Sequence, residues 1–263
     1  MLEFKPKKSL GQSFLVSRHV AEIEAAHASG KNVLEIGPGL GILTKELCSV
    51  AKKVVAVEID PLLYSNLRHS IRAENLKLLN KDFFKTEAEE LELGSTDIMI
   101  ANIPYKLSSK TIAFLHRHRL QAVLCLQKEF VEHMLAKPGT HKYSKLSVMS
   151  QLSFSMTKIA DVPRGNFRPV PKVDSSVVYI KPKGEISADE EQMISRIMQH
   201  KKKTLRNAVI EALESAGMRR DDASKAAERI AGKTPEERVF KLEPTALLEL
   251  AKEMRKALEA QKE

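Results

Sequence analysis

The feature that most constrains this chain is a series of short apolar runs, each ending in a glycine or a polar residue and each followed by a helix-forming stretch. Asn32-Val33-Leu34-Glu35-Ile36 runs directly into Gly37-Pro38-Gly39-Leu40-Gly41, and the residues from Ile42 to about Val50 have a helical pattern. Lys53-Val54-Val55-Ala56-Val57-Glu58 is the next run, and Pro61 suits the first turn of a helix over about 61–72. Leu76-Lys77-Leu78-Leu79 follows and ends at Lys81-Asp82-Phe83-Phe84. Past an acidic segment, 87–92, Thr96-Asp97-Ile98-Met99-Ile100-Ala101 leads into Asn102. A helix over about 108–118 and the run Ala122-Val123-Leu124-Cys125-Leu126 close the series. Short apolar runs bounded by turn residues are buried strands. Strands alternating with helices at this spacing predict an α/β fold with a parallel, doubly wound sheet.

The pattern then changes. Strand-like runs at 146–162 and 174–181, with a proline-rich loop at 163–172 between them, predict an antiparallel hairpin on the sheet's edge. Pro182-Lys183-Gly184 marks a boundary, and 187–263 is helical throughout, with apolar positions at Ile194, Ile197 and Met198, then Leu205, Val209 and Leu213. The expected domains are 1–182, beginning with a basic, irregular arm and a helical stretch over roughly 16–28, and an all-α domain at 183–263.

The formal charge of +9 favours a polyanionic partner. Residues 181–263 carry 18 Lys/Arg against 16 Asp/Glu, so most of the excess lies earlier. The basic residues cluster: Lys5, Lys7 and Lys8; Arg117 and Arg119; Lys137, Lys142 and Lys145; Arg164, Arg168 and Lys172; Lys201, Lys202, Lys203 and Arg206. Such clusters are phosphate contacts spread over several elements, or solvated surface. Cys48 and Cys125 lie in apolar contexts as reduced core residues, and no Cys/His spacing suggests zinc. The first residues hold no apolar core of a signal peptide, and no later run approaches a membrane span, so a cytoplasmic protein is expected.

Three strand ends describe a ligand pocket. Gly37 and Gly39 let the chain turn sharply and let a ligand approach the backbone. The pattern is G-x-G-x-G, with Ile42 where a dinucleotide fingerprint needs its third glycine. Glu58, 21 residues after Gly37, can accept both ribose hydroxyls of a nucleoside. Asp82 is placed to accept from an adenine amino group. Helix capping is the plainer role for either carboxylate alone. Together the three ends suit an adenosine cofactor without pyrophosphate, which fits S-adenosylmethionine; the competing reading is a dinucleotide, which Ile42 disfavours.

The fourth strand end is Asn102-Ile103-Pro104-Tyr105. The exocyclic amine of adenine is a poor nucleophile because its lone pair is delocalised into the ring. Oxygens that accept its N–H hydrogens from outside the ring plane favour sp³ nitrogen as the methyl arrives. Asn102 offers a side-chain carbonyl, and Ile103 a backbone carbonyl that Pro104 presents by holding Ile103 extended. Tyr105 offers a stacking face. Phe167, in the loop with Arg164, Arg168 and Lys172, is the expected second face; its plainer role is to anchor that loop in the core. Each aromatic–base stack is worth about 1–3 kcal/mol, against a few kcal/mol to unstack a flipped base.

These motifs resemble the ribosomal RNA adenine dimethyltransferase family, over nearly the whole chain. The resemblance runs through KSLGQSFL (8–15), EIGPGLGILT (35–44), VEID (57–60), NIPYKLSS (102–109), LQKEF (126–130), KLSVMSQ (145–151), FRPVPKVDSSVV (167–178) and KKTLRNAV (202–209). It implies a Rossmann-like class I methyltransferase sheet, with Gln12, Ser13 and Leu15 folding over S-adenosylmethionine and Gly37, Glu58, Asp82 and Asn102 as strand-end ligands. Ser13 stands where the family usually has asparagine, Ser144 where glycine is common and Lys145 where arginine is. The resemblance further implies N6,N6-dimethylation of two adjacent adenosines near the 3′ end of small-subunit rRNA, in an immature 30S-type particle, by a monomer. Lys7, Lys8, Arg168, Lys172, Lys201, Lys202, Lys203 and Arg206 are the expected RNA contacts, and 183–263 the rRNA-docking domain. Two other readings keep the fold: a large-subunit rRNA dimethyltransferase, against which the FRPVPKVDSSVV and KKTLRN segments argue, and a non-catalytic assembly factor, against which the intact strand ends argue.

Overall fold

The computed structural model describes residues 11–232 and 234–261. The chain begins with β1 (Phe14–Leu15) and α1 (Arg18–Ala25), then alternates through β2 (Asn32–Ile36), α2 (Ile42–Val50), β3 (Lys53–Glu58), α3 (Pro61–Ser70), β4 (Leu76–Asn80), β5 (Ile98–Asn102), α4 (Ser108–His118) and β6 (Gln121–Gln127). Next come α5 (Lys128–Met134), α6 (Lys145–Ser153), β7 (Phe154–Val162), β8 (Phe167–Arg168) and β9 (Ser175–Pro182). The helices α7 (Ala188–Gln199), α8 (Leu205–Ser215), α9 (Arg220–Ala231) and α10 (Pro244–Glu259) end the chain.

The sheet has seven strands in the order β4-β3-β2-β5-β6-β9-β7, and β1 and β8 form a separate antiparallel pair. Strands β2 to β6 pair in parallel. Strand β9 runs antiparallel to β6, with Leu124 opposite Val178, and β7 flanks it at the edge. The central strands are buried on both faces, which is why they read as near-continuous apolar runs; Ile98, Met99, Ile100 and Ala101 are each 0% exposed. The chain builds outward from β2 to β4, returns to the other side of β2 and builds outward again from β5. The strand order therefore reverses between β2 and β5, and open α/β sheets bind ligands outside the carboxyl ends at that reversal.

Two expectations are corrected. Residues 145–153 form a helix, α6, where a strand was expected from 146. Leu146, Val148 and Leu152 alternate as a strand would, while Leu146, Met149 and Leu152 also recur at near-helical spacing, so periodicity alone does not decide. Packing does: Val148 and Leu152 enter a core with Tyr143, Ile194 and Ile197, and Ser147 Oγ accepts from the Ser144 backbone N–H at 3.0 Å, capping the helix start. For the same reason the chain divides differently from 1–182 and 183–263. One compact unit holds the described residues of 1–131 with 155–182, and the other those of 132–154 with 183–263. The second unit has its own apolar core, in which Tyr143 and Val148 lie with Leu213, Leu247 and Met254. Among the described residues no helix is long and apolar enough to cross a membrane.

The turn that follows β2 depends on Gly41. Its φ is +80°, and a Cβ there would stand 2.7 Å from both Ile71 Cδ1 and Leu67 Cδ2. Left-handed backbone costs an alanine about 1–2 kcal/mol, and crowding in a packed core about 1–3 more. Gly41→Ala is therefore expected to lower unfolding free energy by about 2–5 kcal/mol, measured by denaturant titration at neutral pH.

Candidate active site

A cleft of about 270 Å³ opens at the carboxyl ends of β2, β3 and β5, with Gln12, Ser13, Gly37, Glu58, Asp82 and Asn102 in its walls. Glu58 is 3% exposed and holds the cleft's floor together. Its Oε2 accepts from the Gly39 N–H at 3.1 Å and its Oε1 from the Asp60 N–H at 2.9 Å, tying the glycine-rich turn to the start of α3. Burial raises the Glu58 pKa, and these backbone donors pull it back. Gly39 has φ +59°, and a Cβ on it would meet the Phe14 ring at 2.8 Å, so only glycine lets β1 lie against this turn. Asp82 walls the cleft and also caps the short turn Phe83–Lys85, accepting from the Phe84 N–H at 3.1 Å. Gln12 Nε2 donates to Asp60 Oδ2 at 3.4 Å, and Leu15 is buried beside Phe167 in the β1–β8 pair.

Asn102 walls this cleft and two smaller cavities that share Ser13 with it. Its amide is oriented by a residue that sequence reasoning missed. Asn102 Nδ2 donates to Glu24 Oε2 at 2.9 Å, while Asn102 Oδ1 is buried with no hydrogen-bond partner among the described residues. An unpaired carbonyl oxygen on a residue that walls a cavity is open to a donor from outside the chain. One of the smaller cavities is walled by Asn102, Ile103, Pro104, Tyr105, Phe167 and Ser175, among others. Tyr105 is half-buried, and its hydroxyl lies 2.8 Å from Ser175 Oγ, which fixes the ring; burial raises its pKa. Phe167 is 4% exposed and belongs to the apolar core under the sheet, so it anchors the loop and walls the cavity at once.

Comparison with known proteins decides what this site belongs to. Residues 3–255 match the model of the family described as ribosomal RNA adenine dimethylase. The chain belongs to that family. A protein of Thermococcus gammatolerans named "Probable ribosomal RNA small subunit methyltransferase A" is 37% identical over 253 residues, covering 94% of this chain and 88% of that protein. The crystal structure of a dimethyladenosine transferase from Plasmodium falciparum superposes with a TM-score of 0.82 at 30% identity, covering 93% of this chain and 98% of that one. The crystal structure of the 23S rRNA methyltransferase ErmE superposes with a TM-score of 0.63 at 25% identity, over 92% and 99%.

As a member of the dimethylase family, the chain is an enzyme that uses S-adenosylmethionine to dimethylate adenine in ribosomal RNA. The cleft fits that donor on its own terms, with a carboxylate at the end of β3 to meet ribose hydroxyls and apolar walls from Ile36, Val57 and Ile59. The departures from the family pattern have local partners. Ser13 Oγ donates to the Pro169 carbonyl at 2.8 Å, tying the N-terminal segment to the proline-rich loop. Ser144 caps α6, and Lys145 Nζ reaches Glu191 at 3.4 Å.

The expected RNA contacts divide. Lys172 and Lys202 are exposed. Arg168 turns its guanidinium onto the Gly165 and Phe167 carbonyls at 3.0 and 2.8 Å. Lys201 donates to the Tyr143 carbonyl at 2.6 Å, Lys203 pairs with Glu211, and Arg206 with Glu228 at 3.2 Å. Lys7 and Lys8 lie outside the described residues. Two arginines not expected from the sequence, Arg220 and Arg238, join Lys202 and Lys203 around a cavity of about 510 Å³ in the second unit.

Two buried carboxyls lie behind the walls of the candidate site or in them. Glu24 and Glu35 are 0% and 1% exposed, and burial pushes each from its ordinary 4.5 to about 8, Glu24 adding to the rise at Glu35. A carboxyl whose folded-state pKa is raised contributes stability that is full below its unfolded pKa and is lost as pH rises through the folded one. The melting temperature is therefore expected to fall between pH 5 and pH 9. Each group contributes at most roughly 1.4 kcal/mol per pH unit. Glu35→Gln should make the decline shallower, as read by calorimetry across that range.

Proposed function

We propose that this enzyme transfers methyl groups to the N6 of two adjacent adenosines near the 3′ end of small-subunit rRNA, in an immature 30S-type particle, acting in the cytoplasm as a monomer. The observation that carries the acceptor site is the buried, unpaired Oδ1 of Asn102 at the carboxyl end of β5. S-adenosylmethionine, when bound, supplies an electrophilic methyl group on a sulfonium sulfur. Glu58 and Asp82 hold its adenosine, and Gln12, Ser13 and Leu15 cover it. Asn102 Oδ1 and the Ile103 carbonyl accept the N–H hydrogens of the target amine and hold its nitrogen toward sp³ geometry. Pro104 keeps Ile103 extended, and Tyr105 and Phe167 take the two faces of the base.

The choice of small-subunit over large-subunit rRNA is supported by the relative's name and by the closer superposition on the dimethyladenosine transferase than on ErmE. In this reading the second unit docks on rRNA through Lys202 and Lys203, with Arg220 and Arg238 beside them. A docking unit of this kind reads a folded particle by shape and phosphate rather than by base sequence.

Asn102→Ala is expected to abolish transfer of labelled methyl groups to small subunits that lack the modification, while particle binding stays within about twofold. Sustained turnover would remove Asn102 from the acceptor site. Labelling of large-subunit rRNA alone would overturn the choice of substrate. Lys202→Ala with Lys203→Ala is expected to weaken particle binding and to reduce the slope of log K against log salt by roughly 1–2. An unchanged slope would take this patch out of the interface.

A further inference from the structure

A primary amide presents an oxygen and a nitrogen of nearly the same shape, and its orientation is set by what surrounds it. Rotation of the Asn102 amide by half a turn would exchange Oδ1 for an NH₂ group. That group would meet the N–H bonds of an incoming amine with more N–H bonds and could accept nothing. Among the described residues, the contact that opposes this is Asn102 Nδ2 to Glu24 Oε2 at 2.9 Å. We propose that Glu24 is a positioning residue for methyl transfer, its carboxylate holding the Asn102 amide so that Oδ1 faces the target amine. The proposal rests on the reading of Asn102 as the acceptor of that amine.

Three observations support it. First, an ionised carboxylate only accepts, so it selects the nitrogen side of the amide; a hydroxyl or an amide in its place would tolerate either orientation. Second, Glu24 is an expensive residue where it stands. It lies on the apolar face of α1 with Val20, Ala21 and Ala25, is 0% exposed, and its Oε1 has no hydrogen-bond partner among the described residues. A methionine or leucine would fill that place without desolvating a charge, so packing does not account for a glutamate there. Third, Glu24 is absent from the walls of the cleft and of the two smaller cavities, so it acts through Asn102 and does not itself meet a ligand.

The contact depends on ionisation. Glu24 is pushed to about 8 by burial, the Asn102 hydrogen bond pulling against the rise. The titratable groups that feel its charge are Glu35 on β2 and Cys125 on β6, both buried and both raised by it. Below about 8 the carboxyl is an acid whose O–H can donate to Oδ1 of a rotated amide. Above it, the carboxylate accepts only. Transfer should therefore rise with pH through about 8. Glu24→Gln, which keeps the shape and can either donate or accept at every pH, should hold the low-pH rate throughout.

The test compares wild type, Glu24→Met and Glu24→Gln, with Asn102→Ala as control, on small subunits lacking the modification. Glu24→Met is expected to lower kcat about 10- to 100-fold, as misplacement of a reacting group does. Its affinity for S-adenosylhomocysteine should stay within about threefold and its melting temperature at pH 9 should equal or exceed that of wild type. Glu24→Gln is expected to flatten the pH–rate profile. In ¹⁵N spectra, the Asn102 side-chain amide signals, identified by their loss in Asn102→Ala, should titrate near pH 8 in wild type and stay still in Glu24→Gln. Wild-type kcat in Glu24→Met, a pH–rate rise that survives Glu24→Gln, or joint loss of kcat, melting temperature and S-adenosylhomocysteine binding would each overturn the proposal. If Asn102→Ala itself retained turnover, the acceptor-site reading would fail first, and the two failures are thereby distinguished.

Discussion

The constraint on which the site depends is the reversal of strand order between β2 and β5. Two parallel strands whose connections run to opposite sides of the sheet open a crevice at their carboxyl ends, and Gly37, Glu58 and Asn102 stand at its walls. Gly37 follows β2, Glu58 ends β3, and Asn102 ends β5. None of these residues could work from the middle of a strand, where the flanking runs are fully buried and backbone groups are spent on the ladder. The reversal also explains why residues far apart in sequence share one wall. The N-terminal segment reaches the site by pairing Leu15 with Phe167, and Val16 N–H with the Asn166 carbonyl at 2.8 Å.

A second constraint follows from the first. Buried carboxylates around the crevice, on strands or on α1, must be hydrogen-bonded or neutral. Glu58 meets it with two backbone donors, which is why it stays compatible with a ligand's hydroxyls while holding the turn. Glu35 and Glu24 meet it only in part: each has an oxygen without a partner among the described residues, and both have pKa values pushed to about 8. Buried carboxyls lower stability, and among the described residues none lies in the second unit, where the buried polar side chains are Ser147, Ser150 and Ser153.

That division accounts for what could be read from the sequence. Strands β2, β3, β5 and β6 were legible because burial on both faces leaves an uninterrupted apolar signal, β4 at the sheet's edge because of its run of leucines, and the position of Asn102 because the apolar run before it stops there. Helix α6 was not, since Leu146, Val148, Met149 and Leu152 satisfy both periods and only the core around Tyr143 and Ile194 selects one. The extent of the second unit was missed with it. Glu24 was missed although a signal was present: a glutamate four residues after Val20, on the apolar face of an amphipathic helix, with no basic residue close in sequence on that face. Asp82 shows the opposite case, a residue singled out for ligand binding that also does the plainer work of capping a turn. Arg220 and Arg238 were invisible because only the packing of α8 and α9 and the short Thr204–Arg238 bridge bring them to Lys202.

Dimethylation sets a further demand on the proposed acceptor site. An unmodified adenine offers two N–H bonds, one for Asn102 Oδ1 and one for the Ile103 carbonyl. After one transfer a single N–H remains, and the first methyl group must stand where the other hydrogen stood. The backbone carbonyl of Ile103 is fixed by the strand end and by Pro104, so it cannot adapt. Asn102 is the side-chain partner, and its amide is itself held by one hydrogen bond to a buried carboxyl. The second transfer therefore asks more of the orientation of Asn102 than the first. Two acceptors share the alignment of an unmodified amine, whereas a monomethylated one is aligned by whichever acceptor keeps its hydrogen. A loosened amide would slow the second transfer more than the first and release monomethylated product. The rigidity of Asn102, and so the residue behind it, bears on the number of methyl groups delivered as well as on the rate.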